Sequence, residues 1–141
     1  EGYHGVSVAA GVPFESFNIQ NFCGKTDCRQ VSVVLGEKAG LRDPLTIHNF
    51  YVPAGGDEPD PEINVKFKHK LDFLDEMTAH PALRPAAGKR TILVGHEPEL
   101  SSLVFELTGI SIVMQKAMVV AIACKDDGTF RLKFVIDPKE L

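Results

Sequence analysis

His96 is the side chain whose type and setting most invite chemistry. It follows Thr91-Ile92-Leu93-Val94-Gly95, a short apolar run that reads as a strand buried on both faces. It precedes Pro98, which reads as the opening of a helix. The carboxyl end of a buried strand, just before a helix, is where α/β sheets hold ligands and where free backbone N–H groups favour an anion. A histidine there can donate to a phosphoryl oxygen or move a proton near neutral pH. The plainer alternative is a histidine that only caps the helix. Tyr51 also closes a strand, although position alone makes it a packed ring with a wet hydroxyl. Asp57, Glu58, Asp60 and Glu62 have the oxygen chemistry for Mg²⁺, but prolines alternate with them. They read as a solvated acidic loop, and no metal site is predicted. Lys66, Lys68, His69 and Lys70 form a basic cluster. Its bland reading is the wet face of an amphipathic helix, and its sharper reading is a contact to a phosphate backbone. His4, His48, His69 and His80 have no partners at a recognisable spacing.

The elements that must position these residues follow from the local pattern. Residues 3–10 are short, small and β-prone; residues 29–35 are rich in β-branched side chains and stop at Gly36; residues 45–52 alternate and stop at Pro53. With only short turns between them, these strands are expected to pair antiparallel. Asp60-Pro61 reads as a helix start, with Ile63, Phe67, Leu71, Leu74 and Met77 on one side and Lys66, Lys70 and Asp72 facing away. Residues 79–89 read as a linker. The strand at 91–95 is followed by a helix carrying Leu100, Leu103, Val104 and Leu107, closed by Gly109. Residues 118–124 and 130–136 flank an Asp-Gly turn and predict a hairpin. The expected fold class is α/β or α+β: a mixed sheet, order β-β-β-α-β-α-β-β, in a single compact domain.

The 141 residues suit one domain, with 44% hydrophobic and 24% charged residues. That composition excludes a disordered tail, a fibre and a disulfide scaffold. The net charge of −4 means that any DNA contact must come from a local basic patch. No apolar run is long enough for a membrane span and no signal peptide is visible, so the expectation is a soluble, cytoplasmic protein without a membrane partner. Cys23, Cys28 and Cys124 match no common zinc spacing and are expected to be reduced thiols. The chain opens on Glu1 rather than Met, on what reads as a strand already under way, so a fragment is expected.

Two resemblances divide the chain. Residues 2–77 carry Gly2-Tyr3-His4-Gly5-Val6, then Asp27-Cys28-Arg29, then the long run from His48 through Pro61 and from Lys66 through Met77. This stretch resembles the exodeoxyribonuclease III type of the endonuclease/exonuclease/phosphatase family. The resemblance implies Mg²⁺-dependent hydrolysis of DNA phosphodiesters. It implies that Tyr51 works at the scissile phosphate, and that Arg29, Lys66 and Lys70 face DNA phosphates. Residues 91–141 carry Leu93-Val94-Gly95-His96-Glu97-Pro98-Glu99-Leu100, Leu107-Thr108-Gly109 and Asp137-Pro138-Lys139-Glu140-Leu141. They resemble the phosphohistidine phosphatases of the histidine phosphatase superfamily, where the corresponding histidine touches the transferred phosphoryl group, which implies that role for His96.

Each resemblance is incomplete. The nuclease needs an N-terminal Asn and Glu, an Asp-x-Asn and a late Asp-His pair; after Gly95 this chain has His96-Glu97-Pro98. The phosphatase needs an initial Arg-His-Gly, which is absent. The expectation is a chimera of residues 1–78 and 91–141, joined by a linker at 79–90, with both pieces in one sheet. It would be catalytically incomplete and at most a binder of phosphate or a phosphorylated ligand. Phosphoryl hydrolysis through His96 and a residual nuclease through Tyr51 are the alternatives. Open strand edges offer a route to a homodimer.

Overall fold

The computed structural model describes residues 5–81 and 91–140. The chain divides into two compact units, Glu1–Pro81 and Ala82–Leu141. Helices and antiparallel sheets occur together, so the class is α+β.

In the first unit, β1 (Ser16–Asn18), β2 (Gln30–Leu35) and β3 (Leu45–Phe50) form an antiparallel sheet in that order, and the helix α1 spans Val65–Ala79. The register pairs Val33 with Phe17 on one side and with Ile47 on the other. As the middle strand, β2 has a partner on each edge, which suits its β-branched run and buries Gln30, Ser32 and Val33. The buried Gln30 amide is paid for by a bond from Gln20 N to its Oε1 at 2.7 Å. On the face of the sheet that carries Phe50 the core is aromatic: Phe22 lies 5.0 Å from Phe73 and 5.8 Å from Phe50, centroid to centroid.

Several expectations need correcting here. Of the strand expected over 3–10, residues 3 and 4 lie outside the described residues and 5–10 form no strand; Asn49 Nδ2 ties the segment to β3 by donating to Ser7 O at 3.0 Å, and the first strand among the described residues is β1. The strand expected to 52 ends at Phe50, because Pro53 has no N–H with which to continue a ladder. The helix expected from Pro61 starts at Val65. Asn64 decides this: its Oδ1 accepts from Lys66 N at 3.0 Å and Phe67 N at 3.2 Å, so the chain caps there. The inward stripe of α1 is also rotated from the expected one. Phe73 is fully buried, whereas Ile63 is 72% exposed and Leu71 lies at the surface. That rotation brings His69 and Lys70 into partly covered positions.

In the second unit, α2 spans Glu99–Thr108, and β4 (Val119–Cys124) pairs antiparallel with β5 (Phe130–Ile136), with a bulge between Ala121 and Ile122. Helix α2 ends as expected on Gly109, whose φ of 71° is left-handed and whose N–H closes on Phe105 O. The hairpin turn is held by Asp127, which accepts from Thr129 N at 2.8 Å and Thr129 Oγ1 at 2.6 Å. The strand expected at 91–95 is not formed. A strand buried on both faces needs ladder neighbours and covering layers. Here Ile92 is 85% and Val94 94% exposed, so none of the described residues supplies them. In place of one mixed sheet, the described residues form two antiparallel sheets of three and two strands. None of their helices is long and apolar enough to cross a membrane.

Candidate functional site

Arg29 and Tyr51 meet. Arg29 immediately precedes β2 and Tyr51 immediately follows β3, so the antiparallel register sets them side by side. Tyr51 N donates to Arg29 O at 2.8 Å, carrying the ladder one rung past the strands. In return, Arg29 Nη1 reaches Tyr51 O at 3.4 Å, and its guanidinium carbon stands 5.1 Å from the centroid of the Tyr51 ring. A guanidinium over an aromatic face is a cation–π contact.

Asp27 and His69 complete this corner. Asp27 Oδ2 accepts from Arg29 Nε at 2.5 Å, and His69 Nε2 stands 3.9 Å from the same oxygen. Between Asp27 and Arg29, Cys28 takes a left-handed backbone, φ 53°, which lets two residues so close in sequence turn their side chains together. The Asp-Cys-Arg triplet was visible in the sequence. His69 could have been found only by centring the buried stripe of α1 on Phe73. Burial, with Lys25 and Arg29 nearby, lowers the proton affinity of the His69 imidazole, while Asp27 and Asp72 oppose the shift.

Lys66 and Lys70 stand on α1 beside the loop that leaves Tyr51. Gly55, with φ 86°, is buried against this helix; a side chain there would come within 3.0 Å of Lys70 Cδ and 3.2 Å of Phe67. Lys70 therefore lays its stem across the loop backbone. Gly56 has Asn64 and Lys66 as its neighbours. Asn64 joins loop to helix, since its Nδ2 donates to Gly55 O at 3.0 Å and Glu58 O at 2.6 Å. Thus Arg29 and Tyr51 are in contact, and Lys66 and Lys70 line the loop that follows them.

His96 belongs to the second unit. It is exposed, and its carbonyl accepts from Leu100 N at 3.2 Å as α2 begins. The anion expected at this helix start has a substitute within the chain. Glu97 accepts from Ser101 N at 3.3 Å and from Ser101 Oγ at 2.5 Å, and Glu99 adds a second carboxylate to the first turn. These acids already complement the positive end of the helix.

The magnesium implied by the nuclease resemblance finds no donor set among the described residues. Asp60 turns its Oδ1 to Glu62 N at 2.9 Å, and among the described residues no three His, Cys, Asp or Glu side chains gather as metal ligands. The three cysteines are free thiols, and burial together with Glu76 and Asp72 raises the pKa of Cys23, which disfavours a thiolate nucleophile. Comparison with protein-family models, with curated proteins and with solved structures returns no match to this chain.

Proposed function

We propose that this protein binds phosphate or a phosphorylated ligand at the Arg29–Tyr51 corner of its first unit and does not turn it over. The reading keeps the two resemblances as its frame: two phosphate-handling fragments, each short of the groups that its chemistry requires. The observation that carries it is the Arg29 guanidinium stacked on Tyr51, with Lys70 drawn onto the adjoining loop. A planar guanidinium recognises a tetrahedral oxyanion through paired, charge-assisted hydrogen bonds, and a nearby ammonium adds an unspecific attraction. The Glu97 carboxylate at the start of α2 favours this corner over the His96 segment.

Hydrolysis needs more than binding. A phosphodiesterase of the nuclease type needs charge neutralisation and an activated water, and among the described residues the acidic side chains do not gather in a metal-holding group. A phosphohistidine phosphatase needs a second, nucleophilic histidine, and an acid/base group alone contributes only about 10²–10⁴-fold.

The test is equilibrium binding of inorganic phosphate to the whole chain and to Arg29→Ala, Tyr51→Phe and His96→Ala. The expected order is a large loss in Arg29→Ala, a smaller one in Tyr51→Phe and none in His96→Ala. Retained binding in Arg29→Ala, or Mg²⁺-dependent digestion of duplex DNA that disappears in Tyr51→Phe, would overturn the reading.

A further inference from the structure

One carboxylate oxygen serves two bases. Asp27 Oδ2 holds Arg29 Nε at 2.5 Å, and His69 Nε2 waits 3.9 Å from the same atom. The three side chains are largely covered: Asp27 is 25% exposed, Arg29 11% and His69 15%. Their charges therefore act through a medium that screens less than water. At 3.9 Å a neutral imidazole makes no hydrogen bond, so Arg29 has the carboxylate to itself. A proton on His69 places a second cation at that oxygen, and the two donors then compete for it. The charged groups around His69 are Lys25, Asp27 and Arg29 on the segment before β2, and Asp72 on its own helix. Burial is the largest influence on the ring and lowers its proton affinity.

We propose that His69 is a proton-operated latch on Arg29, acting through their shared Asp27 carboxylate, so that the corner takes a doubly charged tetrahedral oxyanion more tightly in mild acid. This rests on the reading that Arg29 is the anion-binding group. While the latch is closed, Asp27 is the anion that Arg29 holds. When His69 takes a proton, it draws Asp27 towards itself, and the guanidinium edge turns to the incoming ligand. His69 is a positioning residue in this account.

Sulfate is the suitable probe, because it stays doubly charged where phosphate changes protonation. Its affinity for the whole chain is measured by calorimetry at fixed ionic strength. Binding is expected to be about five-fold or more tighter near pH 5.5 than near pH 8. In His69→Gln the affinity should stay at the alkaline value at both pH values, and in Asp27→Asn it should be tight at both. A second measurement needs no substitution: saturating sulfate should raise the titration midpoint of the His69 ring seen by NMR, because proton and anion binding are reciprocal. A wild-type pH profile in His69→Gln, weaker binding in Asp27→Asn, or an unmoved midpoint overturns the latch alone. Sulfate binding that survives in Arg29→Ala, or no binding at any pH, overturns the underlying reading and the latch with it.

Discussion

His48 illustrates how one buried atom sets a stability profile. Its ring stacks on Phe50 at 6.2 Å and meets His80 edge-on at 6.0 Å, and its Nδ1 is buried with no hydrogen-bond partner among the described residues. Burial first, then the neighbouring His80, lowers its pKa below 6.5. A histidine whose folded pKa lies below its unfolded value binds fewer protons when folded. The associated stability is therefore fully present above about pH 6.5, and is lost as pH falls from there through the folded pKa. His69 shifts in the same direction and adds to the slope. Urea midpoints measured across mild acid should fall with pH in the unsubstituted chain and fall less steeply in His48→Phe; an unchanged slope in that variant would contradict the assignment. Little of this was legible in the sequence, where His48 and His69 had no partner at any periodic spacing. Their surroundings come from chain segments far apart in number: His80 for His48, and Lys25, Asp27 and Arg29 for His69.

Elements were legible where the chain punctuates itself locally. The α2 stop at Gly109, the Asp-Gly hairpin and the stretch around β2 all follow from residues within a few positions of each other. The start of α1 did not, because Asn64 wins over Asp60-Pro61 through bonds to a loop as well as to the helix. Asn64 caps two N–H groups and holds two loop carbonyls, those of Gly55 and Glu58. Asn64→Ala should therefore cost about 1–2 kcal/mol in chemical denaturation, at the upper end for a cap, and should speed amide exchange at Lys66 and Phe67. A loss of only a few tenths would mean that the loop does not depend on this side chain. The apolar run at 91–95 marks the opposite limit. Hydrophobic sequence alone proposes a buried strand, but strand formation requires a neighbour to supply the ladder.

At the scale of the whole molecule, the two units differ in how much they bury. In the first, Phe22, Val33 and Phe73 are buried around a three-stranded sheet. In the second, Val104 is the buried apolar residue among those described, and the sheet has two strands, a size that is marginal by itself. Native-state hydrogen exchange should accordingly protect the paired amides of β2 longer than those of β4 and β5. Equal protection in both would show that the second unit draws on stabilisation beyond its own packing. The chain divides at 81/82. Which residues form the candidate site was only half legible: Arg29 and Asp27 stood in a stretch that carried a resemblance, Tyr51 stood at a strand end, and Lys66, His69 and Lys70 stood in a basic cluster, whereas the pairing of His69 with Asp27 needed the fold.

The central claim is that the anion-binding group is Arg29 stacked on Tyr51. It is tested most directly by titrating inorganic phosphate into isotope-labelled whole chain and following amide and side-chain NMR signals. The account predicts saturable shifts centred on Arg29, Tyr51 and His69, with the His96–Ser101 amides unmoved. Shifts centred on His96 and the first turn of α2, or none that saturate, would contradict it.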